Sequence, residues 1–210
     1  TPIRRQRQMC IRDRFNETVL ADIGYVKDTE GKSHAFLIIM DDGTDYATVR
    51  HLLAKSADSL YQNVEDAWIG WAGPPDIFVA DGERGFSAEE FGTKMGRAGS
   101  LYIPSASYAP WQKGKVERKV QTFRGAVRKM VLHMGLKGND DMRLAGLEAI
   151  SAINHRPGPS GVGPATLLFG QRLKLYGELY ANGEPAAVHP DVENPITNLA
   201  RRFQIRTTAK

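Results

Sequence analysis

Apolar and small or polar positions alternate along residues 19–26 (VLADIGYV), and an apolar run that includes β-branched residues follows at 34–40 (HAFLIIM). The turn-forming stretch 28–32 (DTEGK) separates them, so the first unit predicted is a hairpin of two strands. An Asp-Gly pair at Asp42 and Gly43 then introduces a third antiparallel strand over residues 45–52 (DYATVRHL). Over residues 56–71 the apolar positions Leu60, Val64, Ala67, Trp68 and Trp71 keep the three-four spacing of a helix, which stops at Gly73, Pro74 and Pro75. Residues 76–80 (DIFVA) read as a short buried strand, Ser87 as the start of a helix with Glu89 and Glu90 in its first turn, and residues 100–103 as another short strand. A long amphipathic helix over 115–134 carries Val116, Val120, Phe123, Val127, Val131 and Met134 on one stripe. Helices at 140–154 and 164–170 follow, joined by the linker 156–163 (RPGPSGVG), and the Pro-, Gly- and acid-rich stretch 181–198 reads as an extended or loosely held tail. Three antiparallel strands, then alternating helices and strands, then helices, predict an α/β domain with a five-stranded mixed sheet flanked by helices.

Length and composition agree with one such core. The chain has 210 residues, of which 41% are hydrophobic and 25% charged. Its longest apolar run, residues 35–40, is far short of the roughly 20 residues that a membrane-spanning helix needs. No leader-like opening is read, and a nuclear or cytosolic protein is the default expectation. Cys10 is the only cysteine, so the sequence holds no disulfide framework and no zinc site of paired cysteines. Five histidines lack ligand spacing and read as structural.

The net charge of +4 changes the picture less than it first suggests. Residues 4–14 (RRQRQMCIRDR) resemble a translation of the adapter oligonucleotide used in transposase-based sequencing libraries. The expectation is that residues 1–14 form an artefactual basic arm, to be set aside as a tag would be. Without its five arginines and Asp13 the remaining charges balance, so any nucleic-acid argument must rest on local clustering. The division expected is 1–14 arm, 15–176 catalytic core and 177–210 tail, possibly truncated.

Three acids stand out. Asp22 lies mid-strand in an apolar context, where a charge is costly unless paired or metal-bound. Asp81 directly follows the strand DIFVA, at a carboxyl end where α/β sheets gather ligands. Glu117 follows the stripe position Val116 on the long helix, with 35 residues between it and Asp81. Singly, these fit a strand-end acid, a turn residue and a solvated helix face; context carries the stronger reading. Residues 108–118 read YAPWQKGKVER, a proline-broken loop and a glycine ahead of a helix that delivers the glutamate in its first turn.

That run resembles the P-x-x-x-G-x-x-E-R segment of retroviral and retrotransposon integrases. Residues 79–85 (VADGERG) look like that family's second-acid loop, and 154–170 (NHRPGPSGVGPATLLFG) like its downstream S-G-x-x-P-x-x-L-x-F-G segment. The resemblance spans about residues 17–176. It implies a ribonuclease H-like catalytic core in which Asp22, Asp81 and Glu117 hold two Mg²⁺ ions, with Mn²⁺ as substitute. Asp22 and Asp81 would hold one metal, and Glu117 with Asp22 the other. Three carboxylates meeting within about 4 Å repel by up to ~4 kcal/mol per pair at an effective dielectric near 20, which divalent cations relieve. Two such ions can activate the attacking oxygen and stabilise the departing one. The implied reaction is trimming of a DNA 3′ end followed by strand transfer. Its implied setting is a nucleus or a cytoplasmic virus-like particle, with DNA as partner and a homo-oligomer as assembly.

Between Lys113 and Lys129 seven basic residues (Lys113, Lys115, Arg118, Lys119, Arg124, Arg128, Lys129) stand against Glu117 alone. Glu117, Gln121, Arg124 and Arg128 share a helix face, so the expected metal ligand sits among phosphate-binding candidates; a solvated face is the plainer alternative. Tyr108, Trp111 and Gln112 fall on the expected loop, where the resemblance puts contacts to the DNA end, and Trp111 fits a packing anchor equally well. Asp41 and Asp42 read as turn residues. Complete integrases carry an upstream zinc module and a downstream DNA-binding module, so the chain is expected to correspond to the core alone. The rivals are an insertion-sequence transposase, which shares these acids, and a domesticated, catalytically silent nucleic-acid-binding module. The Trp111–Gln112 pair leans toward the copia-like lineage rather than the gypsy-like one.

Overall fold

A computed structural model describes residues 14–80, 84–104, 110–158, 161–171, 173, 178–181 and 184–187. Strand β1 (Thr18–Lys27) pairs antiparallel with β2 (Ser33–Asp41), and β2 antiparallel with β3 (Ala47–Leu52). On its other edge β1 pairs parallel with β4 (Ile77–Ala80), which pairs parallel with β5 (Leu101–Pro104). The order β3-β2-β1-β4-β5 is the mixed five-stranded sheet that the pattern predicts. Helices α1 (Ala57–Val64), α2 (Gly70–Ala72) and α3 (Glu89–Ala98) precede the long α4 (Pro110–Met134), then α5 (Gly138–His155) and α6 (Pro164–Phe169). Strands β6 (Glu178–Ala181) and β7 (Glu184–Ala187) form a separate two-stranded sheet, which places a hairpin in part of the stretch expected to be an extended tail.

Alternation along the strands makes two cores. Leu20 and Val26 of β1, with Phe36, Ile38 and Met40 of β2, pack under α4 and α5 against Val116, Val120, Phe123, Val127 and Ala149. Val19, Ala21, Ile23, Leu37 and Ile39 point the other way, against Leu60, Trp68, Phe91 and Met95. Burial on both faces explains why β2 reads as a continuous apolar run. The helix expected over 56–71 runs as α1, a π-helical turn at Glu65–Ile69 and then α2; a sequence pattern at period 3.6 does not reveal that extra residue per turn.

Asn16 ties the start of β1 down. Its backbone is left-handed (φ 66°), its side-chain amide donates to the carbonyls of Ala72, Gly73 and Pro74, and its Oδ1 accepts from Trp68 Nε1 at 2.8 Å. Its N–H donates to Asp41 Oδ1, and Asp41 Oδ2 accepts from Thr44 N and Oγ1, so Asp41 is the turn residue expected.

A hydrogen-bonded line that sequence reading missed joins the opposite end. His34 Nε2 lies 3.0 Å from Asp28 Oδ2, and His34 Nδ1 lies 3.0 Å from His51 Nε2. Asp28 also accepts from the N–H groups of Glu30, Lys32 and Gly138, which pins the β1–β2 turn to the start of α5. The His34 hydrogen bond, helped by those N–H groups, holds the Asp28 carboxyl down to about 2 from 3.8. Burial, reinforced by His34 and nearby cations, pushes His51 down to about 4 from 6.5. Between those two values the unfolded chain binds the proton that the folded chain refuses, so stability falls as pH drops from about 6.5 to about 4. Asp28 adds a second loss as pH falls from about 3.8 toward about 2. Discounted for its partial exposure, the His51 contribution is on the order of 1–2 kcal/mol. Urea unfolding across that window should therefore flatten in His51→Gln relative to the parent chain, and an unchanged slope would discard this account.

Candidate functional site

Asp22 shares a face of β1 with Leu20, Gly24 and Val26, because strand side chains repeat every second residue. That face looks at α4: a Cβ built on Gly24 would sit 3.0 Å from Val120 Cγ1 and 3.7 Å from Arg124 Cγ. Leu20, Gly24 and Val26 are buried, whereas Asp22 is only partly so, and the helical layer therefore opens above the one charged residue of this row. Asp22 Oδ1 accepts from the Ile23 N–H at 2.7 Å.

Ala21, the residue before Asp22, is the register partner of Ala80 in the parallel β1–β4 pair. Asp81 follows Ala80 in the chain and lies outside the described residues. Two residues before it, Val79 belongs to the core under α4.

Glu117 is exposed on α4, between the buried Val116 and Val120. At about 100° per residue, Lys115 and Lys119 fall on one flank of the buried stripe and Glu117, Gln121, Arg124 and Arg128 on the other. Contacts orient the helix. Lys115 Nζ donates to the Asp42 carbonyl and pairs with Asp42 Oδ1 at 3.0 Å and Asp45 Oδ1 at 2.9 Å, while Lys119 Nζ donates to the Asp45 carbonyl at 3.0 Å. Asp42 and Asp45 lie between β2 and β3, so the Glu117 flank turns away from β3, toward the β4 side of the sheet. Asp22 and Glu117 thus belong to facing elements at the strand end that leads into Asp81.

Sequence reading misjudged the helix entrance. Helix α4 begins at Pro110, so Trp111, Gln112 and Lys113 lie within it rather than on a preceding loop, and Glu117 stands about two turns inside rather than in the first turn. A proline at the first helical position forfeits no intrahelical hydrogen bond, and the Gly114 that reads as a pre-helical break is accommodated. Tyr108 lies outside the described residues, as do the side chains of Gln112 and Lys113.

The two charge classes on α4 differ in their surroundings. Burial opposes the Lys115 charge, but Asp45 and Asp42 outweigh it and raise the pKa; Lys119 is lowered, first by burial. Both lysines are engaged with the protein's own turn. Arg118 and Arg128 are exposed, and the buried Nε of Arg124 has no hydrogen-bond partner among the described residues.

Among the described residues no group of three or more His, Cys, Asp or Glu side chains could hold a metal ion, and Asp81 is not among those residues. Asp22, partly exposed, and Glu117, exposed, are hard oxygen donors whose chemistry suits a divalent cation such as Mg²⁺. No helix of the described residues is long and apolar enough to cross a membrane.

No family model matches the chain, and no curated protein sequence matches it. Solved structures do. The HTLV-2 integrase catalytic core domain in complex with magnesium, in its trimeric form, superposes with a TM-score of 0.58 at 15% identity, covering 72% of this chain and 95% of that one. Its dimeric form gives 0.58 and 15%, covering 73% and 96%. The intasome of simian T-cell lymphotropic virus, in complex with a regulatory subunit of PP2A, gives 0.64 at 16% identity over 83% of this chain and 59% of that chain. The fold is that of retroviral integrase catalytic cores.

Within this integrase-like fold, sequence reading overlooked Gly24, whose missing side chain lets α4 approach β1. A glycine inside an otherwise alternating strand, ADIGYV, was the available signal, since such a position marks close approach by another segment.

Proposed function

We propose that the chain is a metal-dependent polynucleotidyl transferase of the integrase type, which trims a DNA 3′ end and transfers that end to target DNA. The observation that carries the reading is the placement of Asp22 and Glu117 on facing elements, beside the Ala21–Ala80 register that leads into Asp81. The likeness in fold to cores solved with magnesium supports it. Asp22, Asp81 and Glu117 would hold Mg²⁺, which when bound supplies Lewis-acid activation of the attacking oxygen and stabilisation of the leaving one. The chain's own part is to converge negative charge at the end of the β1–β4 pair and to hold DNA across the Glu117 flank of α4 through Gln121, Arg124 and Arg128. DNA is the partner and a homo-oligomer the assembly in this reading, with action in a nucleus or a virus-like particle.

Strand transfer on labelled oligonucleotides with Mg²⁺, compared among the parent chain, Asp81→Asn and Glu117→Gln, tests the proposal. Product must vanish in both variants, and activity surviving either substitution overturns the mechanism.

The two flanks of α4 make a separate prediction. Arg124→Ala combined with Arg128→Ala should reduce the slope of log affinity against log salt by about 1 to 2, the equivalent of one or two phosphate contacts. Lys119→Ala, whose ammonium already serves the Asp45 carbonyl, should leave that slope nearly unchanged and lower thermal stability instead. Fluorescence anisotropy with a duplex oligonucleotide over a salt series reads both, and the reverse pattern would refute this assignment of the flanks.

A further inference from the structure

At the β3 edge of the sheet, away from the carboxylates, a cavity of about 160 Å³ opens between the π-helical turn, β3 and α5. Its polar lining consists of Arg50, His51, Asn63, Asp66 and Arg143, over a floor that includes Phe36. The volume is several times the roughly 30 Å³ share of one water molecule. Arg50 is already oriented there, because its Nη2 donates to the Asp66 carbonyl at 2.9 Å. Two guanidinium groups against one exposed carboxylate leave the lining cationic even with His51 neutral. That balance disfavours a metal ion and favours an anion.

The line of hydrogen bonds behind the cavity decides how His51 presents itself. The Asp28 carboxylate accepts, so His34 carries its proton on Nε2 and offers Nδ1 as an acceptor. His51 Nε2 must then donate to His34 Nδ1, which leaves the His51 Nδ1 lone pair as the ring's remaining polar site. A lone pair repels an oxyanion. One added proton reverses this, wherever it settles on the pair: either His51 becomes doubly protonated, or His34 does and His51 shifts to its Nδ1–H tautomer. In both arrangements Nδ1 turns from acceptor to donor.

We propose that this cavity is a proton-linked binding site for a tetrahedral oxyanion of the phosphate or sulfate class, held by Arg50, Arg143 and His51 Nδ1–H. The charged groups acting on His51 come from every neighbouring element: Lys32 and Asp28 from the β1–β2 turn, His34 from β2, Arg50 from its own strand, Asp66 from the π-helical turn, and Asp140 and Arg143 from α5. Burial first, and then the cations among them, keep the ring unprotonated when the site is empty, and an anion offsets the cations. Binding therefore takes up one proton, and proton uptake strengthens binding. The site is independent of the nuclease chemistry and stands or falls without it.

Sulfate is the probe, since its charge does not change in the relevant pH range and only the protein's proton is then counted. The full chain is titrated with sulfate between about pH 5.5 and about pH 7.5, where affinity should fall by up to about tenfold per pH unit. The His51 ring resonances, followed by NMR, should move to the protonated position as sulfate is added. Arg143→Gln, a change at an exposed side chain, should weaken binding by about tenfold or more while the unfolding temperature stays put. Binding that does not saturate, that ignores pH, or that persists in Arg143→Gln marks an adventitious ion only and overturns the proposal. Displacement of bound sulfate by inorganic phosphate or by a duplex oligonucleotide supports the site and tells a free ion from a nucleic-acid backbone as its source.

Discussion

Asp22→Asn should abolish Mg²⁺-dependent strand transfer, by at least about a thousandfold or ~4 kcal/mol in the barrier, while leaving the fold as stable as before or slightly more so. The two effects part because the side chain has two jobs of unequal weight. Within the described part of the fold its Oδ1 accepts the Ile23 N–H, and an asparagine Oδ1 accepts that hydrogen bond equally well. Chemically it is one of three carboxylates proposed to share the cations, and an amide is a far poorer ligand for a hard divalent ion. Removing its charge would also relieve repulsion from the other two carboxylates proposed to share the cations; at a partly exposed position this is worth roughly 0.5–1 kcal/mol. A thermal shift with and without Mg²⁺ separates the contributions, since an ion that binds only the folded chain raises its unfolding temperature. The parent chain should gain stability with Mg²⁺, and Asp22→Asn should not. Equal magnesium-induced shifts in both proteins would place the cation elsewhere and remove Asp22 from the site.

The sheet was legible because its physics is local. Alternation in VLADIGYV, the unbroken apolar run HAFLIIM and the breaker residues between them report strands buried on one or both faces, and the five strands stand in the predicted order of elements. What the pattern missed has non-local causes. Whether Pro110 begins a helix or breaks one depends on whether its missing N–H would have been used, and at a first helical position it would not. The π-helical turn at Glu65–Ile69 and the left-handed backbone of Asn16 are set by tertiary packing around Trp68. The Asp28–His34–His51 line joins residues that lack ligand spacing in sequence, and only the β2–β3 pairing brings the two histidines together.

Legibility of the site divides in the same way. Asp22 and Glu117 are proposed as ligands on residue type, spacing and resemblance alone, and the structure puts them on facing elements. The basic run from Lys113 to Lys129 could not be resolved by spacing alone, because charge type does not say which partner a lysine has already found. Lys115 and Lys119 serve Asp42 and Asp45 on the flank opposite Glu117. Arg124, next to Gly24 and with its Nε unpartnered among the described residues, remains turned to the flank where phosphates are proposed to lie.

Gly24→Val is expected to do what strand propensity says it should not. Valine is a far better strand residue than glycine, and on an open strand the change would stabilise by something near 1 kcal/mol. Here the new Cβ alone would stand 3.0 Å from Val120 Cγ1 and 3.5 Å from Ile38 Cδ1, before either γ-methyl is added. The strand is fixed by neighbours on both sides, so the helix must yield, at a cost of about 1–3 kcal/mol. Glu117 precedes Val120 by three residues on the same helix, and a shift of α4 carries it away from the β1–β4 end. A misplacement of about 1 Å in a catalytic group can cost on the order of a hundredfold in rate. Strand transfer should therefore fall much further than the modest loss in unfolding temperature suggests. Val120→Ala, which removes the obstructing methyl, should restore part of both when combined with Gly24→Val, with a coupling of at least about 1 kcal/mol in the double-mutant cycle. A Gly24→Val chain that keeps full stability and full activity would mean that α4 does not press on β1 at this point, and the route from a missing side chain to the position of Glu117 would be lost.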